Sequence, residues 1–207
     1  MSIREGLEAD LLSLDAKAFY MKYIVKSHNW YFSEYLKVPP EEIIDKMDCF
    51  KEIVSSKFGI SFHNLQIVGS AKTGFSLSPK KALSPFHDEA PDKPSSDIDI
   101  AIISAKLYEK YWNELRRTKG IQYKHFYNNL TASIFRGYIN DKDLVEIKGI
   151  SREWDDTVRS INVELQDRLG FVHPITYRLY RSWDDLEEYQ LIGISKARRA
   201  LEEKVNV

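Results

Sequence analysis

The chain has 207 residues, 43% of them hydrophobic, and a net charge of −1. It is long enough for one domain with a buried core, and no overall field draws it to nucleic acid or to a membrane surface. The single cysteine, Cys49, excludes an intrachain disulfide and a cysteine-based metal site, and reads as a small core residue in a reducing compartment.

Residues 5–36 read as helix, because Leu7, Leu11, Leu14, Ala18, Met21 and Val25 recur at helical spacing. Pro39 and Pro40 end that segment, and Pro40-Glu41-Glu42 opens the next. Its buried stripe is Ile43, Met47, Phe50, Val54 and Phe58, and Gly59 is its expected stop. A short apolar strand follows near 63–69, closing on Gly69-Ser70. Positions 75–96, rich in proline, serine and lysine, read as a loop or insertion. The next strand begins Ser95-Ser96-Asp97-Ile98-Asp99 and continues through Ile103. Helical spacing returns over 104–119, which ends in the basic run Arg116-Arg117-Thr118-Lys119.

The segment 121–136 interleaves Tyr123, Phe126, Tyr127 and Phe135 with Lys124, His125 and Arg136. Such a pattern serves either a helix that buries its aromatics or a surface on which bases stack. Asp143 and Glu146 lie in a stretch with no clear period. A helix over 151–169 carries Trp154, Val158, Ile161, Leu165 and Leu169, and Gly170 closes it. Residues 171–180 read as a strand, and Ser182 caps a last helix running to about 204. The basic patch Lys196-Ala197-Arg198-Arg199 within it reads as a solvated helix end, with a nucleic-acid contact as the alternative.

Two short motifs carry chemistry. Side chains alternate across a strand, so Asp97 and Asp99 share one face and Ile98, Ile100 and Ile102 the other. Neighbouring carboxylates repel each other unless they are solvated or hold a cation. Mg²⁺ suits them, since it takes hard oxygen ligands from one or two carboxylates and from substrate phosphates. A Gly-Ser turn lets backbone N–H groups approach those phosphates. The histidines (His28, His63, His87, His125 and His173) show no metal-ligand spacing, and no Walker-type loop or nucleophile elbow is present.

Gly69-Ser70 followed by Asp97-x-Asp99 resembles the signature of the DNA polymerase β-type nucleotidyltransferase superfamily, over roughly positions 60–105. The insertion between Gly74 and Ser95 departs from the smallest members. The resemblance implies an α+β fold, in which a small mixed sheet is flanked by helices and extended by helical additions at both ends. It divides one domain into a helical preface (1–58), a core (60–181) and a C-terminal helix (182–207). It also implies transfer of a nucleoside monophosphate from an NTP such as ATP to an acceptor hydroxyl, with release of pyrophosphate. Gly69 and Ser70 would grip the β- and γ-phosphates, Lys72 would assist, and Asp97 and Asp99 would be the catalytic metal ligands for Mg²⁺ or Mn²⁺.

The acceptor is left open among an RNA end, a protein hydroxyl, another nucleotide and a small molecule. Small stand-alone members often work with a partner protein. The family generally has a third carboxylate on a later strand. The strand at 171–180 offers Thr176, Arg178 and Tyr180 on one face and Ile175, Tyr177 and Leu179 on the other, with no acid on either. A degenerate member that binds nucleotide or a partner without transfer is therefore the alternative. No apolar run follows basic residues at the N-terminus, and no window is long enough to cross a bilayer, so the expectation is a cytoplasmic protein without a membrane partner.

Overall fold

The computed structural model describes residues 2–81, 83–117, 124–145 and 149–205. The sequence-based readings at Thr118, Lys119, Tyr123 and Glu146, and at the side chains of Lys124, His125, Phe126 and Tyr127, lie outside the described residues.

The segment expected as one helix over 5–36 is divided. Helix α1 (Ile3–Ser13) ends where Leu14 turns extended, and Asp15 caps α2 (Ala16–Tyr20) by accepting from the Ala18 amide at 2.8 Å. Aspartate offers the backbone this local alternative to a continuous helix, and apolar spacing alone does not register it. Two π-helical turns follow, Met21–Val25 and Tyr31–Tyr35, with a bend between them. Helix α3 (Ile43–Phe58) stops at Gly59, which takes the left-handed conformation (φ 62°).

Strand β1 (Leu65–Val68) runs into the short helix α4 (Gly69–Thr73). Strand β2 (Ile98–Ile103) leads to α5 (Ala105–Arg117) and α6 (Lys124–Phe135). Then come β3 (Tyr138–Asn140) and α7 (Asp141–Val145), too short to leave a period in the sequence. Helix α8 (Ser151–Leu169), β4 (Ile175–Tyr180) and α9 (Trp183–Val205) complete the chain. Ser182 caps α9 as expected, its Oγ accepting from the Asp185 amide at 3.1 Å. Among the described residues, no helix is long and apolar enough to cross a membrane.

The strands form one mixed sheet in the order β1-β2-β4-β3. β1 and β2 are antiparallel, β2 and β4 parallel, and β3 and β4 antiparallel. The fold is thus α+β, a small mixed sheet with flanking helices. One face carries Leu65, Ile67, Ile98, Ile100, Ile102, Tyr177 and Leu179 into a core shared with α3, α5 and α8. The other face is apolar only in part: Val68, Ala101, Ile103, Tyr138 and Tyr180 pack under α1, α2 and α9. Arg198 of α9 donates to the Leu11 carbonyl at 2.7 Å and also to that of Leu14, so this member of the basic patch caps the end of α1.

The insertion has little regular structure but is firmly held. Its first arm folds back through the Phe75–Pro85 bridge. In its second arm Asp88 accepts from the Tyr35 hydroxyl at 2.7 Å and lies 3.1 Å from His173 Nε2. His173 Nδ1 is 3.2 Å from the Tyr31 hydroxyl, and Phe86 packs on the imidazole. Burial holds His173 below the usual histidine range, against the opposing pull of Asp88. Neutral imidazole has one donor and one acceptor nitrogen, which fits a pairing with one carboxylate and one hydroxyl.

Candidate active site

The register of the sheet assembles the site. Antiparallel pairing sets Val68 opposite Asp99, so the Gly69-Ser70 turn emerges beside the start of β2. Parallel pairing sets Thr176 opposite Asp99 and Arg178 opposite Ala101. Gly69 has φ 67° and sits directly against the acid: a Cβ at this position would lie 2.4 Å from Asp99 Oδ2. Only glycine meets both the positive φ and the close approach.

Asp97 and Asp99 are both half-buried. The Thr176 hydroxyl donates to Asp99 Oδ1 at 2.9 Å and orients that carboxylate. Burial raises the Asp99 pKa, and the nearby Asp97 charge adds to the rise, while Arg178 and the Thr176 hydrogen bond oppose it. Among the described residues neither aspartate forms an ion pair.

These residues open onto a cavity of ≈ 600 Å³ over the partly apolar face of the sheet, a size ordinary for a small-molecule site. Gly69, Ser70, Asp97 and Asp99 line one end, together with Ser76, Ser78 and Lys81 from the insertion. Tyr138, Phe135 and Arg136 line the other, at the α6–β3 corner. Thr176 and Tyr180 mark these ends on β4, a span of about 13 Å at the usual rise per strand residue. Arg178 lies between the ends, its Nε donating to Asn140 Oδ1 at 3.0 Å and its guanidinium stacked 4.8 Å from the Tyr189 ring. Phe135 is 92% exposed. Helix α9 contributes Glu188, Tyr189, Ile192 and Lys196 to the wall.

Four of the five residues singled out by the sequence motifs therefore meet. The fifth, Lys72, is not brought to them. It lies on α4 but only 3% exposed, with its ammonium donating to the carbonyls of His28 (2.5 Å) and Lys26 (2.6 Å). Asp143 is also elsewhere, half-buried in α7 and bonded to Asn140. Asp141 accepts from the Tyr177 amide at 3.0 Å and extends the β3–β4 ladder. Beside Asp97 and Asp99, Glu188 is the further acid on the cavity wall among the described residues. Helix α9 brings it there, and α9's periodicity gives no hint of that destination. Phe135, Arg136, Lys81 and Lys196 also converge through packing alone.

The donor set fits a hard divalent cation in part. Two half-buried carboxylates without a paired cation supply negative charge, and Mg²⁺ commonly completes its shell with phosphate and water oxygens. Among the described residues, no cluster of three or more histidine, cysteine or acidic side chains could hold a metal by itself. No family model matches the chain, and no curated protein and no solved structure matches it either.

Proposed function

We propose that this chain is a metal-dependent nucleotidyltransferase of the polymerase β type. The observation that carries the proposal is the seating of Gly69 against Asp99, which joins the Gly-Ser turn and the Asp-x-Asp pair in one cavity. Asp97 and Asp99 would hold Mg²⁺ or Mn²⁺. When bound, such an ion neutralises charge on the triphosphate and on the reacting phosphoryl group.

The chain's own groups do the rest. Backbone N–H groups at Gly69-Ser70 and the cations Lys81 and Lys196 receive the phosphates. Thr176 fixes the Asp99 carboxylate, and Arg178 favours its ionised form. The nucleoside extends toward the α6–β3 corner, where exposed Phe135 offers a ring on which a base stacks. The acceptor oxygen forms a bond to the α-phosphorus as the bond to the bridging oxygen breaks. Pyrophosphate departs with the bonding pair, and the hydroxyl proton passes to water. Catalysis of this kind rests mainly on positioning and electrostatics.

A second reading has its own support. Thr176 and Arg178 occupy the β4 face on which the family would carry its third carboxylate. On that reading the cavity binds an NTP without transferring it. Incubation with each labelled NTP and Mg²⁺ or Mn²⁺ separates the two. Pyrophosphate release that falls to background in Asp97→Ala, with an unchanged circular dichroism spectrum, supports transfer. Tight NTP binding without release supports the degenerate form, and absence of NTP binding overturns both.

A further inference from the structure

A second cavity, ≈ 180 Å³ in volume, lies on the other side of α4. Lys26, Lys51, Lys72 and His63 line it, with Asn29 and Gln66, and no acidic side chain is among its described lining residues. Concentrating cations without a counter-charge is unfavourable, most of all for one that is buried. Lys72 is that one, at 3% exposure. Burial, and then the charge of Lys51, lower its pKa to about 8.

The hydrogen bonds around Lys72 are incomplete. An ammonium has three donors, and the carbonyls of Lys26 and His28 take two. Asn29 Oδ1 is occupied by the Tyr31 amide at 3.1 Å, which leaves its NH₂ group as the available end. The amide NH₂ of Gln66 is given to the Ile24 carbonyl, so the wall's donors are those of Asn29 and of the lysines, whose positive charge complements a compact oxyanion.

We infer that this cavity is an anion site for a phosphoryl group, supplied either by inorganic phosphate or by a small phosphate monoester. The ligand's oxygens take the third Lys72 donor and the Lys51 ammonium, and its charge offsets the cluster. The site is separate from the larger cavity and does not depend on nucleotidyl transfer.

Calorimetric titration with inorganic phosphate, and in parallel with AMP, tests it on the whole chain. Lysine acetylation read by mass spectrometry reports the location. Phosphate is expected to bind and to protect Lys51, the half-exposed lysine of the cluster, from acetylation. Lys51→Gln, at a half-exposed position, should weaken binding roughly tenfold or more, the effect of losing a charge-assisted hydrogen bond. Binding should persist in Lys81→Gln/Lys196→Gln, which removes cations of the larger cavity. Tighter protection by AMP assigns the monoester as source, and equal or weaker protection assigns free phosphate. Absence of binding at millimolar phosphate, unchanged affinity in Lys51→Gln, or loss of binding in the Lys81/Lys196 variant overturns the inference.

Discussion

The two faces of the sheet carry different loads. On one, Ile98, Ile100 and Ile102 are at most 1% exposed and meet three helices. On the other, the same strand presents Asp99, Ala101 and Ile103, so that the apolar surface stops where the charged surface begins. A single strand thereby anchors the fold with its even-numbered residues and holds acids with its odd-numbered ones. The difference teaches that the carboxylates can be close together because the opposite face is so fully packed. Asp99 is costly to bury, and the isoleucines one residue away offset that cost.

Substitutions can break this contrast. The largest stability effect belongs to the packed face: Ile100→Ala should cost about 2–5 kcal/mol, measured by urea unfolding. A loss under 1 kcal/mol would show that this face does not carry the fold.

Next come two glycines of similar φ. Gly59→Ala meets open space and suffers only left-handed strain, about 1–2 kcal/mol. Gly69→Ala suffers the same strain and also displaces Asp99, so transfer or metal-dependent nucleotide binding should fall by about 100-fold. Equal function in the two variants would separate the turn from the acids.

The smallest effect has the opposite sign. Asp99 has a folded-state pKa above its ordinary 3.8. Stability is therefore lost as pH rises from 3.8 through the folded value, because the native state holds the proton longer than the unfolded chain. Asp99→Asn keeps an acceptor for Thr176 and removes the buried charge. Its Tm at pH 7 should exceed that of the parent by on the order of a few degrees, with the gain vanishing below pH 3.8. A lower Tm at pH 7 would mean that the ionised carboxylate stabilises the fold.

Much of this arrangement was legible in the sequence. Alternation put Asp97 and Asp99 on one face, and Gly59, Gly170 and Ser182 marked helix ends that the structure bears out. The β3–α7 segment was not legible, because a three-residue strand and a five-residue helix hold too few residues for a period. The break within 5–36 was hidden for another reason: its apolar spacing continues across the Asp15 cap. The position of Lys72 was equally hidden. Two residues from Ser70 looks like proximity, yet two residues rotate a helix by about 200°, just over half a turn, and this directs the two side chains into different cavities.

The strand order has a consequence for how the chain comes together. β4, last of the strands in the chain, sits inside the sheet between β2 and β3. The Asp99–Thr176 hydrogen bond joins residues 77 positions apart, a contact whose loop-closure entropy slows folding relative to local pairings. A ribosome-bound chain that has not yet released residues 175–180 can make the β1–β2 hairpin but not the joint between its acids and their threonine. The cavity is thus completed only once β4 has entered the sheet between β2 and β3.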